Sequence, residues 1–149
     1  MTITKANIDI FLTHKNIAVI GASARTKKFG NEVIKELVKK GYAVYPIHLT
    51  AETLEGVKCY HSIGELPAEV QSIHISTNNK KANDIIVAAK QKGMTQIWVQ
   101  QRSENEKTYD LANGVNMITN QCFLMHLGPV KGGHKFHRSI KSFFGKLPK

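Results

Sequence analysis

Gly21, Ala22 and Ser23 are residues of the types that bind phosphate where a strand runs into a helix. They follow the apolar run Asn16–Ile20, and Gly21 can turn the chain sharply because it has no side chain. Ala22 and Ser23 are small enough for backbone N–H groups to approach an anion, and the Ser23 hydroxyl adds a donor. A helix that begins near Asn31 contributes partial positive charge. The pattern favours an anion site here, although Ser23 replaces the middle glycine of a dinucleotide fingerprint.

Three cations follow the turn and supply formal charge for a pyrophosphate: Arg25, Lys27 and Lys28. In the alternative interpretation, the small residues only allow the first helix to pack on the sheet, and the cations are solvated. Position and composition together favour phosphate binding.

The residues that end the second strand indicate which kind of nucleotide fits. Proteins that bind nicotinamide dinucleotides usually carry an acidic residue there, which takes the ribose hydroxyls. Here the strand ends Tyr45-Pro46-Ile47-His48, and no carboxylate follows before Glu52. His48 is either a solvated loop residue or a partner for a ribose phosphate or a base. The missing acid argues against NAD and leaves ligands with a phosphorylated ribose, which include NADP and coenzyme A.

Alternating strand and helix patterns predict an α/β fold. Strands are expected at residues 16–20, 42–47, 70–76, 95–100 and 115–119, and helices at 31–40, 80–93 and 103–114. Ser103 is the expected N-cap of the third helix. Such alternation favours parallel pairing and right-handed crossovers, so we expect a Rossmann-like, doubly wound five-stranded sheet in the order 3-2-1-4-5.

Ligands of such sheets lie beyond the carboxyl ends of the strands, beside the first strand. Four loops are expected to converge there, at residues 21–30, 46–50, 76–80 and 99–103. The sequence therefore predicts one crevice that draws on four separate segments.

The composition is that of one ordinary globular domain. The 149 residues are 42% hydrophobic and 21% charged. The formal net charge of +10 favours anionic partners, whether phosphorylated small molecules, nucleic acid or acidic lipid. No secretory signal or membrane span is evident, and Cys59 and Cys122 do not form a disulfide or zinc pattern. We expect a reduced, cytoplasmic protein with a single domain at 1–149, a core at 15–126 and a basic tail at 128–149.

The tail predicts a basic amphipathic C-terminal helix, because apolar residues recur at helical spacing between lysines and an arginine. These apolar residues are Phe136, Ile140, Phe143 and Phe144. We expect this helix to cover a sheet edge or to form a homodimer contact. A nucleic-acid or membrane-surface contact is the less favoured alternative.

The sequence predicts neither a catalytic centre nor a metal site. Cys122 and His126 would form a nucleophile and base only if a loop joined them, and a lone cysteine is more often a small buried group. His126, His134 and His137 lack a nearby carboxylate, which favours a solvated basic helix over metal ligation.

The stretch VIGASARTKKFGNEVIKELVKKGYAVYPI resembles the opening of the small CoA-binding domain proteins. These are single Rossmann-like domains, similar to those of the succinyl-CoA synthetase alpha chain and of ADP-forming acyl-CoA synthetases. The resemblance covers about residues 15–126 and rests on the G-A-S turn, the K-x-G-Y-x-V-Y-P run and the W-[VL]-Q strand end, in that order. It implies that the chain binds coenzyme A or an acyl-CoA without catalysis of its own.

The resemblance also implies a role for individual residues. The phosphates would contact Gly21, Ala22, Ser23 and Lys28, and the adenosine end would lie between Pro46 and His48. The strand-three loop would line the crevice, Gln100 would lie near the pantetheine arm, and Cys122 matches a cysteine often found after the last strand. The residues of the strand-three loop that would line the crevice are Ser76, Thr77 and Asn78. Together with Arg25, these make up the predicted site.

Two positions depart from the family pattern. A glycine is common soon after W-[VL]-Q, where this chain has Gln101 and Arg102, and an arginine is common in the strand-three loop, where Lys80 or Lys81 would substitute. Two other functions stay open at this point: an NADP-binding oxidoreductase-like protein, and nucleic-acid binding through the basic tail.

Overall fold

The structure, a computed structural model, describes residues 3–127. Its strands are β1 (Asn16–Ile20), β2 (Ala43–Ile47), β3 (Thr53–Leu54), β4 (Val57–Lys58), β5 (Ser72–Ile75), β6 (Gln96–Gln100) and β7 (Asn116–Gln121). Its helices are α1 (Lys5–Thr13), α2 (Phe29–Lys39), α3 (Asn79–Lys92), α4 (Glu106–Asp110) and α5 (Phe123–His126). A 3-10 turn at Ile63–Glu65 precedes β5.

Five strands form one parallel sheet in the order β2-β1-β5-β6-β7, which confirms the predicted α/β fold class. Tyr60 forms an isolated parallel bridge with Ile47 at the free edge of β2. When the segment around Tyr60 counts as the third strand, the order 3-2-1-4-5 runs from that segment through β2, β1 and β5 to β6, and β7 follows as a sixth strand. The segment 70–76, which the sequence analysis numbered third, contains β5. That strand pairs with β1 on the side away from β2, so it is fourth in this count.

Alternate residues of the central strands pack against opposite layers of the domain. In β1, Ile17 and Val19 belong to one core cluster and Ala18 to the other. In β6, Trp98 contributes to the first cluster and Ile97 to the second. Both faces of the sheet are therefore covered, which is why the strands read as continuous apolar runs in the sequence.

Helix α1 lies where the sequence analysis expected no element. Thr4 and Asn7 form a capping box at its N-terminus, with the Asn7 N–H donating to Thr4 Oγ1 at 3.2 Å. Phe11 is buried, and its ring lies edge-on to Trp98 and Phe123 at centroid distances of 5.4 and 5.9 Å. The helix therefore covers the end of the core formed by β6 and α5.

The third predicted helix is shorter than expected, and its N-cap is Asn105 rather than Ser103. Asn105 accepts a hydrogen bond from the Lys107 N–H at 3.0 Å, which is the contact a cap makes. Ser103 is buried, and its N–H donates to the Gln100 carbonyl oxygen in the turn that ends β6. Ser103 thus belongs to the turn that ends β6, and the helix begins only after Asn105.

The predicted basic C-terminal helix, with its expected homodimer or nucleic-acid contact, lies outside the described residues. Within residues 3–127, no helix has both the length and the apolar character that crossing a membrane requires.

One polar pair lies inside the core. His74 and Gln100 are both buried, and His74 Nε2 lies 3.2 Å from Gln100 Oε1, which also accepts from the Phe123 N–H at 3.0 Å. Among the described residues, His74 Nδ1 has no hydrogen-bond partner. Burial lowers the pKa of His74 to about 4, since a charged imidazole is poorly solvated there, and the Gln100 contact offsets this only in part.

We predict that the free energy of unfolding decreases as the pH falls from about 6.5 toward 4. In that range the unfolded chain binds a proton at His74 that the folded chain excludes, at a cost of about 1.4 kcal/mol per pH unit. Urea titrations of wild type and His74→Gln between pH 7.5 and 5 measure this slope. The variant should lose most of it, whereas the matched control His61→Gln, at an exposed imidazole, should keep it. Equal slopes in wild type and His74→Gln would contradict the assignment.

Candidate ligand-binding crevice

A cavity of about 720 Å³ opens at the carboxyl ends of β1, β2 and β5 and is closed on one side by α3. Seven of the twelve predicted site residues line it: Gly21, Ala22, Lys28, His48, Ser76, Thr77 and Asn78. The structure therefore brings three of the four predicted loops to one place. The loop after β6 does not contribute to the lining.

Close backbone packing shapes the turn after β1. Gly21 has a φ of +120°, and a Cβ at this position would overlap the carbonyl oxygen of Ser76 in the loop after β5. A Cβ on Gly30 would lie 2.8 Å from the backbone nitrogen of Ala22, which is closer than side-chain atoms tolerate. Gly21 thus allows the loop after β5 to lie against the turn, and Gly30 allows the N-terminus of α2 to approach it.

Asn31 holds the turn together, and the sequence analysis did not assign it this role. Its side chain is only 2% exposed. Its Oδ1 accepts from the Ser23 N–H at 2.9 Å and the Lys28 N–H at 3.1 Å, while Nδ2 donates to the Ser23 carbonyl oxygen at 2.9 Å. The one available signal was an amide residue in the first turn of a helix that follows a glycine-rich loop.

Ser23 forms several hydrogen bonds within the turn. Its hydroxyl accepts from the N–H groups of Arg25 and Thr26 at 3.2 and 3.3 Å, and its own N–H is bonded to Asn31. These groups therefore order the turn, and Ser23 is not among the residues that line the cavity. Its contact with a ligand stays a prediction.

Cations reach the cavity from two walls. Lys28 stands at the N-cap of α2, and Lys81 lies in the first turn of α3 on the facing wall. Lys81 thus lies where the sequence analysis expected Lys80 or Lys81 to replace an arginine. Arg25 is exposed and lies outside the lining. The charged side chains of the lining are thus two lysines from different helices and one carboxylate, Asp84 on α3.

At the end of β2, backbone contacts fix the orientation of two imidazoles. His48 Nδ1 accepts from the N–H groups of Thr50 and Ala51 at 3.1 and 2.9 Å, so the neutral ring carries its hydrogen on Nε2. His61 Nδ1 lies 3.0 Å from the His48 carbonyl oxygen, which only accepts. Pro46 is buried, and its carbonyl oxygen accepts from the Tyr60 N–H.

The loop after β5 uses part of its polar groups internally. Asn78 caps α3 by accepting from the Lys81 N–H at 2.9 Å, and the Thr77 hydroxyl donates to the Asn78 carbonyl oxygen at 3.1 Å. Ser76 contributes its N–H to the Ile20 carbonyl oxygen, which continues the β1–β5 pairing. The loop is therefore rigidly placed against the turn that follows β1.

Gln100 and Cys122 lie away from the cavity, inside the core. Gln100 joins β5, β6 and α5 through its contacts with His74 and Phe123. Cys122 is fully buried, and burial raises the pKa of its thiol. Neither residue lines the cavity, and the predicted position of Gln100 near a pantetheine arm and the predicted part of Cys122 in the site stay predictions. Among residues 3–127, no group of three or more His, Cys, Asp or Glu side chains is placed to hold a metal ion.

The parallel sheet, with a glycine turn and a helix N-terminus beside a cavity at the strand ends, defines a Rossmann-like α/β domain. A sequence profile of the CoA binding domain matches residues 15–128, and the chain belongs to that family.

Two curated relatives show how the family is used. The alpha subunit of acetate–CoA ligase (ADP-forming) II from Pyrococcus furiosus is 39% identical over 88 residues, which are 58% of this chain and 19% of that protein. The uncharacterized protein YneT of Bacillus subtilis is 25% identical over 122 residues, 80% of this chain and 90% of its own length. The chain thus spans about a fifth of the ligase relatives it matches.

Solved structures share the fold. Prb, a protein redesigned for binding, matches with a TM-score of 0.76 and 25% identity, over 97% of this chain and 95% of its own. A hypothetical protein from Pyrococcus horikoshii OT3 matches with a TM-score of 0.74 and 27% identity, over 83% and 89% of the two chains.

We predict that Gly21→Ala destabilises the fold by about 2 to 4 kcal/mol, because the new methyl group has to displace the backbone at Ser76. The matched control is Gly41→Ala. Gly41 also has positive φ, at +85°, but no atom lies within 4 Å of its added Cβ, so the expected cost is about 1 kcal/mol. Urea denaturation measures both, and equal losses would contradict the close approach.

Proposed function

We propose that this chain binds coenzyme A or an acyl-CoA in the crevice at the strand ends, as a ligand-binding protein without catalysis of its own. The observation that carries the proposal is the pair of lysines, Lys28 and Lys81, which face one cavity beside a glycine turn in a member of the CoA binding domain family. The role that follows is that of a carrier, a sensor or a subunit that lends CoA to a partner. The ligase reaction named for the longer relatives is not part of the proposal.

The pyrophosphate is assigned to the turn after β1. Ala22 lines the cavity beside the start of α2, where the helix dipole favours anions. Lys28 supplies charge from the same wall and Lys81 from the facing one. A pyrophosphate carries negative charge on both phosphates, so two opposed cations suit it better than one cluster.

The ribose phosphate is assigned to the end of β2. No carboxylate stands there to bind two ribose hydroxyls, and His48 lines the cavity instead. Since its Nδ1 is occupied by two backbone N–H groups, its Nε2–H is the group left to donate to a phosphate oxygen. This arrangement supports a phosphorylated ribose over free hydroxyls.

The adenine ring is assigned to the apolar wall of the cavity. Ile47 and Ile63 contribute from the β2 side, and Ile85 and Ala88 from one face of α3. A flat aromatic ring between aliphatic side chains is a common arrangement in nucleotide sites, where a few polar groups then fix its orientation. Pro46 is buried and does not line the cavity, so its predicted contact with the adenosine end is not part of this assignment.

Calorimetric titration with CoA, dephospho-CoA, NAD and NADP at moderate salt tests the proposal. We expect CoA to bind more tightly than dephospho-CoA, because the ribose phosphate is read at the end of β2, and NAD to bind weakest. Binding of NADP alone would instead favour an oxidoreductase-like protein. If none of the four binds, the proposal fails and nucleic-acid binding by the chain becomes the next test.

We also predict that Lys28→Ala and Lys81→Ala each weaken CoA binding about tenfold, since each removes one charge-assisted contact to phosphate. The matched control is Lys107→Ala, at an exposed lysine on α4 that does not line the cavity. It removes the same charge and should leave the affinity within about twofold of wild type. Equal losses in all three variants would show only the effect of net charge.

A further inference from the structure

The hairpin formed by β3 and β4 turns at Glu55 and Gly56, and both residues have positive φ, at +50° and +78°. Two-residue hairpin turns with this backbone are of type I′ and favour Asn, Asp or Gly at both positions. A longer side chain in the left-handed region costs about 1 kcal/mol. Glu55 therefore stands where turn chemistry alone would select a different residue.

The Glu55 carboxylate leaves the hairpin and contacts the first helix of the crevice. Its Oε2 accepts from Asn31 Nδ2 at 3.0 Å, and its Oε1 lies 3.7 Å from Lys35 Nζ. Asn31 is the buried residue that binds the backbone of the turn after β1. The hairpin tip thus contacts Asn31, the central hydrogen-bonding residue of the turn that is proposed to hold the pyrophosphate.

The carboxylate reinforces the orientation of the Asn31 amide that the backbone of Ser23 and Lys28 already favours, because it gives Nδ2 a second acceptor. A carboxylate only accepts hydrogen bonds, so Nδ2 has to point toward Glu55 and toward the Ser23 carbonyl oxygen. Oδ1 then faces the N–H groups of Ser23 and Lys28, and all four contacts are satisfied. In the flipped amide, Oδ1 would face two acceptors and Nδ2 would face two donors, which leaves every contact repulsive.

We propose that Glu55 is a positioning residue for the anion-binding turn: its carboxylate reinforces the orientation of the Asn31 amide, which in turn fixes the backbone from Ser23 to Lys28. The inference rests on the proposed function, because the turn it shapes is the one assigned to the pyrophosphate. Glu55 does not line the cavity, so it acts through Asn31 rather than on the ligand.

Charge alone predicts the opposite effect on binding. A carboxylate near an anion site repels the anion, so removing it would tighten CoA binding if Glu55 had no positioning role. The positioning role predicts weaker binding when the acceptor is lost. The sign of the change therefore separates the two explanations.

CoA titration of Glu55→Ala, Glu55→Gln and Glu52→Ala provides the test. Glu55→Ala removes the acceptor and should weaken binding about tenfold. Glu55→Gln removes the charge but keeps an oxygen for Asn31, and should stay within about twofold of wild type. Glu52→Ala, at an exposed carboxylate that precedes the same hairpin, controls for charge and should bind equally or more tightly. Glu55→Ala binding as well as Glu52→Ala, or Glu55→Gln losing as much as Glu55→Ala, overturns the proposal.

Glu55→Asn separates positioning from hairpin stability. Asn-Gly suits a type I′ turn better than Glu-Gly does, so this variant should unfold at the same or a higher urea concentration. Its side chain is one methylene shorter and should not reach Asn31, so CoA binding should still weaken about tenfold. If Glu55→Asn is more stable than wild type and also binds CoA more tightly, the positioning role is overturned.

Amide hydrogen exchange by NMR tests the same inference without any ligand. The Ser23 and Lys28 amides should exchange slowly in wild type and in Glu55→Gln, and at least tenfold faster in Glu55→Ala. Unchanged exchange in Glu55→Ala overturns the proposal. If wild type fails to bind CoA but these rates change as expected, the proposed ligand is wrong while the positioning role stands.

Discussion

The crevice depends on the contact between the backbone at Gly21 and the carbonyl oxygen of Ser76. Two parallel strands end side by side, and the loops that leave them have to diverge unless one carries no Cβ. Because Gly21 removes that obstacle, the loop after β5 lies directly against the turn after β1. Gly30 acts in the same way at a second contact: because it has no Cβ, the start of α2 can lie against the backbone of Ala22. The cavity-lining groups of the loops after β1 and β5 are placed relative to these two backbone contacts.

The same contacts explain why the cations act together although they are distant in sequence. Lys28 begins α2, and Lys81 lies in the first turn of α3, on helices that follow neighbouring strands. Parallel strands direct both helix N-termini toward the same edge of the sheet, so the positive ends of two helices and two lysines converge. The presence of both lysines in one cavity lining thus follows from the topology and from the glycines that allow the loops to meet, rather than from the overall charge of the chain.

The sequence predicted the parts of this fold that local patterns determine. The central strands read as apolar runs because both faces are buried, and Gly93 ends α3 in the left-handed conformation, as expected. Helix α1 was missed because only Ile8 and Phe11 of its residues are buried, too few for a clear periodic pattern. Asn31 was missed because its role depends on backbone groups eight residues away and on Glu55, 24 residues away. The burial of Gln100 and Cys122 likewise depends on α1 and α5, whose packing no local pattern shows.

Polar groups are arranged differently on the two halves of the sheet edge at which the parallel strands end. On the β1–β2–β5 side, polar groups are either bonded within the turns or directed at a cavity, as His48 is through the hydrogen on its Nε2. On the β6–β7 side, Gln100 turns inward to bond with His74 and the Phe123 N–H, and α5 begins immediately after β7. A dinucleotide-sized ligand that lay across the whole edge would need open space on both sides. The cavity described above lies on the β1–β2–β5 side, and the loop after β6 does not line it.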